Sequence, residues 1–235
     1  INDNCGSQHP GRLAKMVIAE KAHLGLAFDG DADRLIAVDE KGTVLSGDQV
    51  MAICAQDMQA KGQLANPVLV TTVMSNMGLG QALERMGIAH IKAKVGDRYV
   101  MQEMLKADAV LGGEDSGHMI FLNHHTTGDG MLAALKITAA MRASAKPLSE
   151  LATVMTVFPQ CLINVDVKKK PEIDTIDSVM RAIDTVEKGL GDKGRVLVRY
   201  SGTQPQCRVM VEGPTERETR IMCQQIASVV ERELG

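Results

Sequence analysis

The sequence contains few aromatic residues: among 235 residues there are two Tyr, three Phe and no Trp. Platforms for stacking bases or sugar rings are therefore scarce. No uninterrupted apolar run is long enough to cross a membrane, and the N-terminus lacks the pattern of a signal peptide. The 26 basic and 29 acidic side chains leave a formal charge of −3, which argues against a nucleic-acid coat or a polybasic anchor. We therefore expect a cytoplasmic protein with no nucleic-acid partner and no membrane partner.

Cysteines are few, with five in the chain and no CxxC pair. This pattern predicts reduced thiols, most of them buried as small hydrophobic groups, and no zinc site. The chain begins at Ile1 although it contains 15 Met residues, so we expect a processed protein or part of a longer one.

The order of apolar and polar segments predicts an α/β protein. Strands and helices alternate from Gly47 to Ala145, which is typical of an α/β layer domain, with Ser46 capping the first helix. After Met155 the pattern predicts a small β-α-β-β-α domain, whose last helix begins after Thr215. The run Lys168–Lys170 is interpreted as a solvated loop. The predicted helices are 12–22, 46–60, 78–86, 98–106, 128–145, 172–188 and the one after Thr215.

The loop FDGDADR places Asp29, Asp31 and Asp33 directly after an apolar strand. Three carboxylates this close repel each other, and oxygen ligands of this kind suit Mg²⁺ bridging to a phosphate. Arg34 follows at once and suits a phosphoryl oxygen. A solvated acidic turn and a phosphatase with an Asp29 nucleophile remain alternatives. An EF-hand is disfavoured because Arg34 stands where that loop needs Gly and because both flanks read as strands.

A second loop, GGEDSGH, places Glu114, Ser116 and His118 after a predicted strand. Glu114 and Ser116 would lie on one side of an extended segment and could bind the vicinal hydroxyls of a sugar. A plain polar turn is the alternative. The neighbouring His124 and His125 would point apart, so we interpret them as exposed loop residues rather than metal ligands.

A third segment, RYSGTQPQCR, surrounds a turn between two predicted strands. Two guanidinium groups, two hydroxyls and free N–H groups around a Gly suit a phosphate dianion. The alternative is a surface turn with structural arginines. The candidate residues are Arg199, Ser201, Gly202, Thr203 and Arg208.

Together these three segments, in this order, resemble the α-D-phosphohexomutase superfamily. The further strings MSNMGL, KVGDRYV and TTGDG make the whole chain similar to the bacterial phosphoglucosamine mutases. The resemblance implies four domains around a cleft and an isomerase that converts glucosamine 6-phosphate to glucosamine 1-phosphate, a step toward UDP-N-acetylglucosamine and peptidoglycan. It also implies Mg²⁺ and a phosphoserine that exchanges its phosphoryl group through a bisphosphorylated sugar.

The resemblance assigns roles to individual residues and regions. Residues 1–45 would be the end of domain 2 with the metal loop, 46–156 domain 3 with the sugar loop, and 157–235 domain 4 with the phosphate loop. The partner would be a small sugar phosphate, with a homodimer as a candidate assembly of the full-length protein. The implied metal ligands are Asp29, Asp31 and Asp33; the implied sugar-phosphate binders are Glu114, Ser116, His118, Arg199, Ser201, Gly202, Thr203 and Arg208; the implied catalytic or orienting residues are Arg34, Asp97 and Arg98.

The chain departs from the family pattern in three places. The phosphoserine motif, similar to TASHNP, is missing, and Ser7–Pro10 does not match it. Gln204 stands where Glu is usual and Tyr200 where Lys is common. We therefore expect a C-terminal fragment that does not turn over alone. A phosphomannomutase or phosphoglucomutase of the same superfamily and a non-catalytic sugar-phosphate sensor remain alternatives.

Overall fold

A computed structural model describes residues 3–235 and confirms the predicted α/β fold class. The chain divides into two compact units, one ending at Thr156 and the other covering Val157–Gly235. None of the described helices is long and apolar enough to span a lipid bilayer. The five cysteines are free thiols; three of them are buried, namely Cys54, Cys207 and Cys223.

The first unit contains two sheets. Strand β1 pairs antiparallel with β2, and β2 pairs antiparallel with the short β3. The second sheet has the order β5-β4-β6-β7, in which β4 is parallel to both neighbours and β7 is antiparallel to β6. The strands of this unit are β1 (Leu24–Phe28), β2 (Leu35–Asp39), β3 (Val44–Leu45), β4 (Val68–Thr72), β5 (Ala89–Ala93), β6 (Leu111–Gly113) and β7 (Met119–Phe121).

Helices cover the apolar faces of these strands. Every residue of β4 is buried, as is typical of a central parallel strand that is covered on both faces. The main core contains Leu35, Met51, Leu69 and Phe121. The helices of this unit are α1 (Gly11–Ala19), α2 (Gly47–Ala60), α3 (Met77–Met86), α4 (Asp97–Lys106), α5 (Gly130–Ser144) and α6 (Leu148–Leu151).

The helix starts follow the capping residues of the sequence. Ser46 and Gln49 form a reciprocal capping box at α2, which confirms the predicted N-cap at Ser46. Asp129 caps α5, since its side chain accepts the N–H of Leu132. Such caps stabilise a helix by about 1 kcal/mol each.

The second unit is the predicted β-α-β-β-α arrangement. Its elements are β8 (Gln160–Asp166), α7 (Asp177–Leu190), β9 (Arg195–Tyr200), β10 (Gln206–Glu212) and α8 (Glu216–Leu234). The sheet is antiparallel with the order β8-β10-β9, and Thr215 caps α8 as predicted. Cys207, Val209 and Val211 pack with α7 and α8, so Arg208, Met210 and Glu212 lie on the other face of β10.

Several predicted boundaries were wrong. Helix α7 begins at Asp177 instead of residue 172, because Ile173–Thr175 forms a separate 3-10 turn after Pro171. Strand β6 covers Leu111–Gly113 and so includes the first two residues of the predicted GGEDSGH loop. Gly112 there pairs with Val70 on one side and with Ile120 on the other, so two glycines expected in a loop belong to the sheet.

Candidate functional site

The acidic loop connects β1 to β2 and closes on itself at Arg34. The guanidinium Nε of Arg34 lies 3.3 Å from Asp29 Oδ2, and the Arg34 N–H donates to Asp29 Oδ1 at 3.2 Å. Asp31 is exposed at the outer end of the loop. The side chain of Asp29 is 17% exposed, so this ion pair is partly shielded from water.

Asp33 points inward and is held by His118. The Nδ1 atom of His118 lies 3.0 Å from Asp33 Oδ2, and the backbone N–H of Gly128 donates to His118 Nε2 at 3.2 Å. Because an amide N–H can only donate, Nε2 is the acceptor, and Nδ1 carries the proton that goes to Asp33. The His118 side chain is only 7% exposed. Its two ring nitrogens are thus engaged within the protein.

The acidic loop contains oxygen atoms that suit a metal ion, but they do not form a complete coordination site. Within residues 3–235, no group of three or more His, Cys, Asp or Glu side chains lies in a geometry that could hold an ion. Asp33 Oδ1 is buried and has no hydrogen-bond partner among those residues. A buried carboxylate oxygen without a donor is costly, and a hard divalent cation prefers such an oxygen. The residues therefore fit Mg²⁺ in donor type, with Asp33 Oδ1 as the atom that lacks a partner.

The GGEDSGH segment, residues 112–118 and here named the sugar loop, is connected to the loop that precedes α4. Glu114 Oε1 accepts the N–H of Gly96 at 3.0 Å. Gly96 has φ +125°, a conformation that residues with a side chain rarely adopt. Asp97 and Arg98 follow it and are exposed, and Asp97 Oδ1 accepts the N–H of Arg98.

Backbone hydrogen bonds join the sugar loop to the start of β2, and the start of α5 to the acidic loop. The N–H of Leu35 donates to the carbonyl of Gly117 at 3.0 Å, and the N–H of Gly130 donates to the carbonyl of Ala32 at 2.9 Å. Ser116 is half-buried. The first unit therefore brings together the acidic loop, the sugar loop and the segment containing Asp97 and Arg98.

Two arginines face each other in the second unit. Arg199 on β9 and Arg208 on β10 are direct cross-strand partners, so their side chains leave the same face of the sheet. Neither forms an ion pair with a carboxylate of Val157–Gly235, and the Nε of each is buried without a hydrogen-bond partner among the described residues. Burial, followed by the charge of Arg208, lowers the pKa of Arg199.

The turn between these strands contributes backbone donors. The N–H of Ser201 donates to the carbonyl of Gln206, and the Ser201 hydroxyl accepts the N–H of Gln204. The N–H groups of Gly202 and Thr203 have no acceptor within the residues that the structure describes, and both residues are exposed. Arg199 Nη1 also donates to the carbonyl of Tyr200 at 3.5 Å. Free amide donors beside two guanidinium groups that have no carboxylate partner in this unit can bind an oxyanion such as phosphate.

Sequence reasoning missed the role of His118 and of the TTGDG string around Gly128. A Cβ atom on Gly128 would lie 2.6 Å from both ring nitrogens of His118, so only Gly leaves room for that ring. The Gly in the TTGDG string was the available signal. His124 and His125 are exposed, as predicted.

The sequence matches two family descriptions. Residues 46–158 match "Phosphoglucomutase/phosphomannomutase, alpha/beta/alpha domain III", and residues 162–229 match "Phosphoglucomutase/phosphomannomutase, C-terminal domain". Over all 235 residues the chain is 60% identical to the phosphoglucosamine mutase of Syntrophus aciditrophicus and covers 52% of it. It is 51% identical to the phosphoglucosamine mutase of Myxococcus xanthus, covering 51% of that protein. The chain thus spans about half the length of the curated relatives it matches.

Solved structures share the fold at low sequence identity. The N-acetylphosphoglucosamine mutase of Aspergillus fumigatus matches with a TM-score of 0.81 and 17% identity over 99% of this chain and 53% of that one. The same fungal enzyme in complex with GlcNAc-6P and magnesium matches with a TM-score of 0.79 at 18% identity, with the same coverage of both chains.

Proposed function

The chain belongs to the phosphoglucomutase/phosphomannomutase family, and we propose that it carries the cation, sugar and phosphate loops of a phosphoglucosamine mutase. The reaction would interconvert glucosamine 6-phosphate and glucosamine 1-phosphate in the cytoplasm through a phosphoserine and a bisphosphate intermediate. In this proposal residues 1–45 end domain 2, 46–156 form domain 3 and 157–235 form domain 4. The 60% identity to a relative of that name supports this substrate over hexose phosphates.

The observation that carries the proposal is the pair Arg199 and Arg208. Two facing guanidinium groups with buried, unpaired Nε atoms are costly unless an anion accompanies them. With the hydroxyl of Thr203 and the N–H groups of Gly202 and Thr203, they would hold the phosphate that does not react. Arg–phosphate contacts are directional as well as strong, so this loop would fix the orientation of the sugar.

The acidic loop would serve the phosphoryl group that moves. Asp29, Asp31 and Asp33 would hold Mg²⁺, which when bound neutralises charge on a transferring phosphoryl group. His118 donates its Nδ1 proton to Asp33 Oδ2, which would leave Oδ1 available to hold the ion and would make His118 a positioning residue. Arg34 would move from Asp29 toward phosphoryl oxygens.

The sugar would be held by hydrogen bonds with little ring stacking. Ser116 and the second carboxylate oxygen of Glu114 would bind sugar hydroxyls. The contact between Glu114 and Gly96 would keep Asp97 and Arg98 beside the sugar loop, where they would orient the substrate. Loose phosphoryl transfer depends mainly on such positioning and on charge neutralisation.

The 235 residues contain no serine in a TASHNP-like segment. The phosphoryl carrier would therefore have to come from elsewhere in a complete enzyme. Accordingly, we expect this chain to bind glucosamine 6-phosphate without converting it.

Calorimetric titration of the 235-residue chain with glucosamine 6-phosphate, glucose 6-phosphate and mannose 6-phosphate tests the proposal. Binding that weakens at least about tenfold in Arg208→Met supports it, because hydrogen bonds to charged groups are worth about 1.5–3 kcal/mol. Arg220→Met, which removes an exposed arginine of α8, is the matched control and should bind like the parent. Equal losses in both variants, or no binding of any sugar phosphate, would contradict the assignment, and stronger binding of a hexose phosphate would change the substrate.

A further inference from the structure

The sequence predicts a solvated loop at Lys168–Lys170, and all three side chains are exposed. Lys170 nevertheless differs from its neighbours. Its Nζ donates to the carbonyl oxygen of Ser201 at 2.8 Å and to that of Gln204 at 2.8 Å. These two carbonyls come from the two ends of the turn that joins β9 to β10.

We propose that Lys170 is a positioning residue that fastens the phosphate loop. This inference rests on the proposed function for its consequence, phosphate affinity, while the fastening itself concerns only the loop. The ammonium group bridges the carbonyls of residues 201 and 204 and so restricts the distance between the two ends of the turn.

The geometry explains why a lysine suits this place. The ammonium group has three donors, and two of them are used on carbonyls 2.8 Å away. It also lies 6.0 Å from the centre of the Tyr200 ring, within the range of a cation–π contact. Pro171 follows directly and restricts the backbone of Lys170 to extended conformations, which limits the positions that its side chain must sample.

The other hydrogen bonds of residues 201 and 204 are local to the turn. The N–H of Gln204 donates to the Ser201 hydroxyl, and the N–H of Gln206 donates to the Gln204 carbonyl. The following residues are held to β8, since the Pro205 carbonyl accepts the N–H of Val167 and the Gln206 side chain donates to Asp166 Oδ1 at 2.9 Å.

Lys170 adds a contact from outside the turn that reaches both Ser201 and Gln204. Gln204 stands where the resembled family usually carries Glu. Gln204 therefore adds no carboxylate to the turn, and Lys170 places a positive charge beside it.

Fastening would raise phosphate affinity through preorganisation. The free N–H groups of Gly202 and Thr203 lie between the two carbonyls that Lys170 holds. A loop that is already ordered loses less conformational entropy when an anion binds. Loss of the bridge should therefore weaken binding even though Lys170 itself need not touch the phosphate.

Hydrogen exchange of the ligand-free 235-residue chain tests the fastening directly. In Lys170→Met the amides of Ser201, Gln204 and Gln206 should exchange roughly tenfold faster, because both hydrogen bonds from the charged ammonium group to the turn are lost. Lys170→Arg should keep part of the protection. Lys169→Met is the matched control, because it removes an equal charge from an exposed neighbour that makes no such bond.

A second arm measures affinity for inorganic phosphate by titration followed through phosphorus NMR. We expect about a tenfold loss in Lys170→Met and little change in Lys169→Met. Unchanged exchange in Lys170→Met overturns the fastening. Equal affinity losses in both variants overturn the link between fastening and phosphate affinity, since they would show a general effect of charge. If the parent binds no phosphate while Lys170→Met still exchanges faster, the fastening stands and the proposed function fails.

Discussion

Arg195 and Arg199 lie four residues apart on β9, and each faces a residue of β10 directly across the sheet. Arg195 faces Glu212 and pairs with it through Nε at 2.8 Å and Nη2 at 3.0 Å. Arg199 faces Arg208, and both of their Nε atoms are buried without a partner among the described residues. The same residue type at equivalent places on one strand thus meets opposite electrostatic environments.

The difference separates a group that stabilises the fold from one that is available for a ligand. The Arg195–Glu212 pair is complete, so removing either partner leaves a charge uncompensated. The Arg199–Arg208 pair is incomplete, so burial and like charge oppose its formation and an anion would complete it. Substitutions at the two pairs should therefore have opposite effects on stability.

The largest effect is expected at the complete pair. Glu212 is fully buried, and Glu212→Gln removes the charge that compensates Arg195. We expect the free energy of unfolding of the second unit to fall by about 3–5 kcal/mol. Urea unfolding followed by labelling of the buried thiol of Cys207 reports on this unit. A loss below about 1 kcal/mol would show that the pair adds little and would remove the contrast.

At the incomplete pair the sign should reverse. Arg208→Met removes one of two like charges and keeps an apolar chain of similar length, so stability should stay constant or rise. Phosphate affinity should fall at least about tenfold in the same variant, because a charged hydrogen bond is lost. Urea unfolding and phosphate titration of one protein sample measure both. A strong loss of stability in Arg208→Met would make the arginine pair structural.

The two oxygens of Asp33 differ in the same way. Oδ2 is bonded to His118, whereas Oδ1 has no partner within residues 3–235. His118→Gln should weaken the binding of Mn²⁺, used as a paramagnetic substitute for Mg²⁺, by about 10–100-fold, as expected for loss of a group that orients a ligand. Gly128→Ala should do the same, because the new Cβ displaces the His118 ring. Electron paramagnetic resonance of free Mn²⁺ measures the affinity.

The control for this experiment is His124→Gln, which alters an exposed histidine of the same unit. It should bind Mn²⁺ like the parent. Equal affinity in all four proteins would show that His118 does not orient Asp33 toward an ion.

These contrasts mark what the sequence could and could not predict. The acidic string, the glycine-rich string and the SGT turn could each be found, because their residues are neighbours in the chain. The caps at Ser46 and Thr215 were predictable for the same reason. Contacts such as His118 with Asp33 join residues 85 positions apart, and they depend on how β2 and β7 are placed by the core.

The role of Lys170 shows the same limit. Three successive lysines look equivalent in the sequence, and only the fold places one of them 2.8 Å from the carbonyls of residues 201 and 204. The pairing of Arg199 with Arg208 similarly required the register of β9 and β10. Sequence patterns thus identified the loops, while the partner of each side chain came from tertiary packing.

The smallest effect is expected on the opposite face of β10, where Cys207 precedes Arg208. Burial raises the pKa of the Cys207 thiol to about 11 from an ordinary value of 9.0. The folded chain therefore binds more protons than the unfolded chain above pH 9, so stability should fall as pH rises from about 9 toward 11. This contribution is about 1 kcal/mol per pH unit at most, and Cys207→Ala should remove it. Urea midpoints at about pH 8 and pH 10 measure it. Arg208→Met should leave this pH dependence unchanged, since the two side chains leave opposite faces of the strand. A changed pH dependence in Arg208→Met would show that the arginine pair affects the surroundings of the Cys207 thiol.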